Sequence, residues 1–313
     1  MRKLVLTLVL VANTLAMLSA QDLPQWAYGT ASASTGGRGP AQDTATPRTL
    51  PGSTLTFTLS QIRDGFGPAD WFPGDHPPMP EIVAHGRRPD IRACALCHYP
   101  NGKGRAENAP IAGFSSAYFI QQMADFKRDA RKSADPKKAN TNVMITIAKA
   151  MTDAEIKDAA EYFGAMRWTA WIKVKEATTV PKTRVAGGLF LALEGGETEP
   201  LGSRIIEVPE NTEATETLRD PRSGFVAYVP EGSIKKGEGI GRSCGVCHGA
   251  DLKGLGPVPG IAGRSPSYLV RQLYDFKRGA RKGLWSDLMK PVVARLNDDD
   301  ILNVVAYSAS MKP

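Results

Sequence analysis

The four cysteines of the chain stand in two identical arrangements with histidine. They lie in Cys94-Ala-Leu-Cys97-His98 and in Cys244-Gly-Val-Cys247-His248. Two thiols three positions apart lie on one helical turn, so both can reach the vinyl groups of a single porphyrin. The adjacent histidine then presents its imidazole to the iron from the same side. This spacing is the attachment pattern of c-type haem, and it predicts two covalently bound haem c groups.

Other uses of paired cysteines fit this pattern less well. A zinc ribbon would place both pairs around one metal, and it does not require a histidine after each pair. A thioredoxin-type redox site would need its C-x-x-C within a βαβ pattern, which the sequence does not show. Two disulfides would need no histidine at all. Because every cysteine belongs to a C-x-x-C-H motif, haem attachment is the preferred interpretation.

The two motifs belong to a duplicated sequence. Residues 111–132 align with residues 261–282 at an offset of 150, and 13 of these 22 positions are identical. After this segment the offset falls to 145, because the first half has five extra residues in the polar loop 133–142. A repeat of this length indicates two tandem domains and not a solenoid.

Helices are predicted to position the motifs in each half. A short helix carries each C-x-x-C-H. A second helix is predicted over about residues 116–130, and its repeat partner starts at Pro266. A final helix is predicted to start at Asp153 in the first half and at Asp298 in the second. Neither half shows alternating strands, so the predicted fold class is mainly α.

A methionine in each half is a candidate for the second axial ligand, which raises the haem potential. In the second half only Met289 and Met311 follow the motif, and Met311 lies beyond the last predicted helix. Met289 precedes that helix in a predicted loop, and its repeat partner is Met144. Core packing is the alternative for any single methionine. Met123 and Met151 align with leucines, which is typical of core positions.

Two histidines lie outside the motifs, and neither is preferred as a ligand. His85 aligns with Lys235, so the second half cannot use this position, and a solvated surface role is favoured over ligation of the first haem. His76 stands in Asp-His-Pro-Pro and is interpreted as structural.

A basic segment ends the repeated helix in both halves. One interpretation is a solvated helix end, where cations suit the helix dipole. The other is that Arg131 and Arg281 each pair with a haem propionate, since the guanidinium fork matches a carboxylate.

The N-terminus and the net charge of the chain give further information. Residues 4–18 form an apolar stretch after Arg2 and Lys3, and small residues precede Gln21, so a signal peptide over residues 1–20 is predicted, with an uncleaved anchor as the alternative. Cleavage lowers the formal charge from +7 to +5. This charge favours redox partners with acidic docking surfaces, or membrane respiratory complexes, and gives no case for nucleic acid.

The chain is predicted to divide into five parts. The parts are a signal peptide (1–20), a Gly/Pro-rich extension (21–73), a first domain (74–166), an acidic linker (167–228) and a second domain (229–313).

The linker between the domains is predicted to be a solvated loop. One alternative is that it holds a few strands that pack between or around the domains. The other is that its acidic residues dock on the basic segments at Lys127 and Lys277.

Together these residues resemble the diheme cytochromes c of the cytochrome c4 type. The resemblance rests on both C-x-x-C-H motifs, an Ile-Ala-Gly after each, the shared Asp-Phe-Lys-Arg-x-Ala-Arg-Lys, and the Met seven residues before Leu-Asn-Asp-Asp-Asp-Ile. It covers about residues 80–166 and 230–313. It implies two class I cytochrome c domains facing each other, His/Met ligation and periplasmic electron transfer. Carried onto this chain, the thiols are Cys94, Cys97, Cys244 and Cys247, and the iron ligands are His98, Met144, His248 and Met289.

The first half departs from the family at one position. A proline four residues before a glycine gives its carbonyl to the motif histidine in such domains. Pro259 before Gly263 fits, whereas the first half has Ala109 there and Pro110 one place later. A backbone carbonyl is the acceptor, so alanine can serve. With the longer loop before Met144, this predicts that the first haem is the one that differs in potential or lability.

The function predicted from the sequence is single-electron transfer. The alternatives are a cytochrome subunit of a larger dehydrogenase or oxidase complex, which the extension and linker would support, and a haem enzyme of the peroxidase or thiosulfate-oxidising type. An enzyme would need an open or labile sixth position at one iron, against which the paired Met144 and Met289 argue.

Overall fold

The computed structural model describes residues 23–30 and 43–313. The predicted signal peptide therefore lies outside the described residues. Among those residues, no helix has both the length and the apolar character needed to cross a membrane.

The N-terminal extension packs onto the linker. Its apolar residues, which include Leu59, Ile62 and Trp71, form a cluster against Leu218. The indole Nε1 of Trp71 donates to the Leu218 carbonyl at 2.8 Å. The elements of the extension are α1 (Gln25–Tyr28), β1 (Arg48–Thr49) paired antiparallel with β2 (Thr56–Phe57), and α2 (Leu59–Ile62).

The first half is helical. Its helices are α3 (Glu81–Ala84), α4 (Cys94–His98), α5 (Ser116–Lys127), α6 (Ala139–Ala150) and α7 (Asp153–Gly164). Helix α7 begins at the predicted residue, where Thr152 and Glu155 form a capping box. Met144 lies within α6, so the loop predicted around it is instead a helix. Uninterrupted by glycine or proline, this segment turns its apolar side towards the core of the first half.

The linker is a small β subdomain and not a solvated loop. Alternating residues of its strands are buried, among them Leu189, Leu191 and Phe225. Strand β3 runs parallel to β9, and β9 runs antiparallel to β8, while β4–β7 and β5–β6 form two further antiparallel pairs. The strands are β3 (Ile172–Glu176), β4 (Thr179–Pro181), β5 (Thr183–Ala186), β6 (Leu189–Ala192), β7 (Thr198–Pro200), β8 (Ile206–Pro209) and β9 (Phe225–Val229).

The two lysines that were considered as docking points for the linker have other partners. Lys127 pairs with Asp153 at 3.2 Å, and Lys277 donates to the Leu296 carbonyl. Both partners lie within the lysine's own half. The linker instead contacts the second half through Glu207, which accepts from the Ser265 hydroxyl at 2.7 Å.

The second half begins with a long motif helix. Helix α8 packs against α11 at two glycines, and a Cβ on Gly237 would lie 1.9 Å from the Asn303 carbonyl oxygen. A side chain there is incompatible with this close approach. The elements are α8 (Ser233–His248), β10 (Gly254–Leu255) paired with β11 (Val258–Pro259), α9 (Pro266–Lys277), α10 (Ser286–Ala294) and α11 (Asp298–Ser310).

The two halves meet through repeat-related segments. The Lys132 amide donates to the Ala280 carbonyl, and the Lys282 amide donates to the Ala130 carbonyl, each at 2.8 Å. These reciprocal bonds place the ends of α5 and α9 side by side. The halves are therefore joined around an approximate twofold relation that follows the sequence repeat.

Candidate cofactor sites

The first motif histidine is oriented by a backbone carbonyl. The Nδ1–H of His98 donates to the Ala109 oxygen at 2.9 Å. A carbonyl can only accept, so the proton sits on Nδ1 and Nε2 keeps its lone pair for a metal. Burial lowers the pKa of His98, although the bond to Ala109 opposes this. The alanine carbonyl therefore serves, as expected.

The second motif histidine is held in the same way. The Nδ1–H of His248 donates to the Pro259 oxygen at 2.8 Å. Burial again lowers the pKa of the imidazole, so the ring is neutral at physiological pH. Both histidines are thus neutral, fixed in one tautomer and available at Nε2, which is the state that an iron ligand requires.

A cavity of about 590 Å³ adjoins the first motif. Its lining contains Cys94, Cys97, His98 and Met144, together with apolar side chains such as Phe119. Burial is the main cause that raises the pKa of both thiols, so they are not prepared as thiolates for a metal ion. No cluster of His, Cys, Asp and Glu suited to a metal ion occurs within residues 23–30 and 43–313.

These donors fit a haem better than a bare metal. Two thiols and one imidazole come from a single turn, a thioether comes from another helix, and the space between them is apolar. An iron porphyrin needs this combination, because its ring is apolar and its iron takes nitrogen and sulfur ligands.

The second half presents the same donors on a more open face. Met289 is half-buried on α10, and Cys247 is exposed. Leu284 and Leu288 are 72% and 65% exposed, and with Val292 they form an apolar stripe on one side of the segment. At the matching repeat positions the first half has residues that line its cavity, namely Ala139, Val143 and Ile147. The stripe therefore matches, by repeat position, part of the cavity lining of the first half.

Arg131 and Arg281 come together between the halves. Arg131 donates to the side-chain oxygens of Gln122 at 2.9 Å and Gln272 at 3.0 Å. Arg281 donates to the same two oxygens, at 2.6 Å and 3.0 Å respectively. Both guanidinium groups are buried. The sequence left two interpretations open for these arginines, a solvated helix end or one haem propionate each. In the structure they are buried and share the same two glutamine side chains.

A third buried arginine was not predicted to matter. Arg264 donates across the interface to the carbonyls of Pro110 at 2.8 Å and Ala112 at 3.0 Å. Its guanidinium stacks between the rings of Phe114 and Trp168. Burial lowers its pKa to about 10, so it remains charged at neutral pH. The sequence does contain one indication that Arg264 is special, because it breaks the repeat: the first half has Phe114 at this position.

Comparisons with known proteins agree with the cofactor that these sites fit. The sequence model of the Cytochrome c family matches residues 90–166. Cytochrome c-554(548) of Halomonas halodenitrificans is 37% identical over 82 residues, which is 26% of this chain and 99% of that protein. The chain therefore belongs to the cytochrome c family, whose members carry covalently bound haem c and transfer electrons.

Two longer alignments indicate the type of cytochrome c. Cytochrome c4 of Azotobacter vinelandii is 26% identical over 220 residues, covering 68% of this chain and 82% of that protein. A protein of Stutzerimonas stutzeri named "Thiosulfate dehydrogenase electron acceptor" is 25% identical over 229 residues, covering 72% and 82%. Within the family, the chain is of the cytochrome c4 type, as the motifs predicted.

Proposed function

We propose that the protein is a periplasmic electron carrier with two haem c groups, one in each half, each ligated by histidine and methionine. The observation that carries the proposal is the matched pair of oriented histidines, His98 on Ala109 and His248 on Pro259. Each stands directly after two cysteines. The same chemistry is therefore supported twice, in segments related by the repeat.

Four residues in each half are proposed to hold one haem, and their roles differ. Two cysteines would form the thioether bonds, and the carbonyl-bound histidine and a methionine would ligate the iron. Haem supplies a one-electron change between Fe(II) and Fe(III). In the first half the apolar cavity lining would keep water away from the iron, which favours retention of both ligands in both states. The four residues are Cys94, Cys97, His98 and Met144 in the first half, and Cys244, Cys247, His248 and Met289 in the second.

The shared arginine pair is proposed to face the haem propionates. Arg131 and Arg281 donate to two neutral amide oxygens, and both guanidinium groups act on a buried carboxyl group, Asp275, by opposing its raised pKa. Buried charges are usually paired with an opposite charge. Arg131 also lines the first cavity. Carboxylates at this point would supply the anions that the guanidinium groups match.

A role as the acceptor for a dehydrogenase is the second candidate. The Stutzerimonas relative is, by its name, an electron acceptor of thiosulfate dehydrogenase. We extend to this chain only the general role, in which an enzyme oxidises a substrate and this protein receives the electrons. The proposed methionine ligands, Met144 and Met289, favour this role over catalysis by the chain itself, since catalysis at iron needs an open coordination position.

Removal of each methionine tests the ligation. In the holoprotein, Met144→Ala and Met289→Ala are each expected to remove about half of the weak far-red absorption band that marks methionine bound to Fe(III). Each should also lower the potential of one haem, within the roughly 0.8 V range that axial ligands cover. Met123→Leu is the control, because the second half already has Leu273 at that position.

The same samples show whether the proposal fails. A haem-to-protein ratio of one, or a wild-type spectrum without the far-red band, would contradict two His/Met sites. Rapid binding of carbon monoxide to the reduced wild type would favour a haem enzyme. Recovery of the protein outside the periplasmic fraction would contradict the location.

A further inference from the structure

The two motifs differ sharply in exposure at the same repeat position. Leu96, the residue before Cys97, is 9% exposed, whereas Val246, the residue before Cys247, is 81% exposed. The next position outside each motif differs in the same direction, since Tyr99 is buried and Gly249 is half-buried. One motif is therefore covered by other parts of the chain, and the other faces solvent.

The cover on the first motif comes from the linker. We call residues 211–223 the linker cap. The Arg219 guanidinium donates to the Leu96 carbonyl and lies over the Tyr99 ring. The Tyr99 hydroxyl donates to the Thr215 carbonyl at 3.4 Å. The Asn101 amide donates to the Pro221 carbonyl at 2.8 Å. These contacts span the residues immediately around Cys97.

The N-terminal extension and the first residues after it hold the linker cap from its other side. Arg222 makes a two-bond ion pair with Asp75, both bonds at 2.7 Å. The same guanidinium stacks on Phe72 at 3.6 Å. Trp71 adds its bond to Leu218. The cap is thus fixed between the first motif and the extension, and it is not a loosely attached loop.

The consequence concerns access to the haem edge. Thioether bonds fix one edge of the porphyrin at the cysteine sulfurs, so whatever covers the surroundings of Cys97 also covers that edge. Electron transfer slows steeply as the distance between the two redox centres grows. A protein partner held away by the linker cap would therefore exchange electrons slowly with the first half.

We propose that the linker cap closes the first site to redox proteins, so that one-electron partners exchange only at the open surface around Val246. The first half is then reached through the interface that joins the halves. Each exchange moves one electron: a protein donor is oxidised by one electron, and one iron passes from Fe(III) to Fe(II). This inference rests on the proposed function, because it requires both haems to be present.

The charges around the cap point to a difference in potential as well. Arg219 is half-buried, and its charge interacts with the ion pair that Arg105 makes with Glu107 at 2.6 Å. Two guanidinium groups thus share one carboxylate next to the first motif. A surplus of positive charge near the iron favours its reduced state, so the first site should hold electrons more strongly. Arg219→Ala should lower only that potential, while the linker variant Arg204→Ala should leave both unchanged.

The test uses the full holoprotein with an open-edge variant. Reduced protein is mixed in a stopped-flow instrument with a small blue copper protein as the oxidant. Val246→Asp is expected to slow the loss of electrons from both haems by about tenfold. Ser203→Asp makes the same charge change on an exposed linker residue, so it is the control and should alter the rate little.

A structural readout accompanies the kinetics. Hydroxyl-radical footprinting of the wild-type holoprotein should modify Val246 strongly while Leu96 and Tyr99 are protected. The inference is overturned if the first haem of Val246→Asp is oxidised as fast as in the wild type, or if Leu96 and Val246 are modified equally. Failure of the proposed function looks different, because the haem count and the far-red band are recorded before mixing.

Discussion

The two halves place the same chemical residues in different surroundings. In the second half the motif lies at the end of the sixteen-residue helix α8, which packs directly on α11. In the first half Pro89 stands where the second has Gly239, and the corresponding segment is divided between α3 and α4. Proline cannot continue a helix, so this half takes other support from the extension and the linker. Duplication has kept the donors while their packing diverged.

The comparison also shows where each half depends on the other. Position 264 carries an arginine, and its repeat position carries Phe114, so the two can stack at 4.0 Å. Two phenylalanines or two arginines could not make this contact together with the bonds to Pro110 and Ala112. The asymmetry of the repeat thus stabilises the junction.

The largest expected effect comes from breaking this junction. Arg264→Ala should lower the free energy of unfolding by about 4 kcal/mol, because buried carbonyls of the first half lose their donor and a cavity remains. Arg264→Lys keeps the charge but not the two-pronged geometry, so its loss should be smaller. Denaturant unfolding of the holoprotein measures both. A change below about 1 kcal/mol for the alanine variant would show that the halves are stable independently.

The next effect tests the helix contact that only the second half has. Gly237→Ala should destabilise the protein by about 3 kcal/mol, since the added Cβ meets the Asn303 carbonyl. Gly239→Ala is the matched control, because a Cβ there has no atom within 4 Å. That variant should stabilise by up to about 1 kcal/mol through better helix propensity. Equal effects at the two positions would contradict the packing of α8 on α11.

The smallest expected effect is a pH dependence that belongs to the second half. Burial raises the pKa of Asp275 from 3.8 to about 6, although Arg281 and Arg271 oppose the shift. Its repeat partner Asp125 instead accepts from Gln121 and pairs with Arg128.

The sign follows from proton binding. Between pH 4 and 6 the folded state holds a proton on Asp275 that the unfolded state has released, so stability falls as the pH rises. The loss should be on the order of 2 kcal/mol across this window. Comparing the wild type with Asp275→Asn isolates this loss from other carboxyl groups. A difference between the two proteins that does not change with pH would contradict the raised pKa.

Residues close together in the chain were predictable. The motif spacing, the repeat offset and the helix starts at Asp153, Pro266 and Asp298 follow from local patterns, and the structure has helices starting there. Met144 and Met289 were singled out by repeat alignment, and they remain proposed ligands. The prediction that each methionine lies in a loop was wrong, because both lie in helices. The composition of a segment does not show which of its faces the core can bury.

The sequence by itself determined the class of cofactor, because haem attachment needs cysteines and a histidine within a single turn, and that spacing is visible in the chain. Only the tertiary structure decided which motif is open. Arg219 and Leu96 are 123 residues apart, and no periodicity links a linker arginine to a distant carbonyl. The same holds for the sharing of Arg131 and Arg281, whose partners come from both halves. Local spacing specifies chemistry, whereas exposure and charge balance depend on which distant segments pack together.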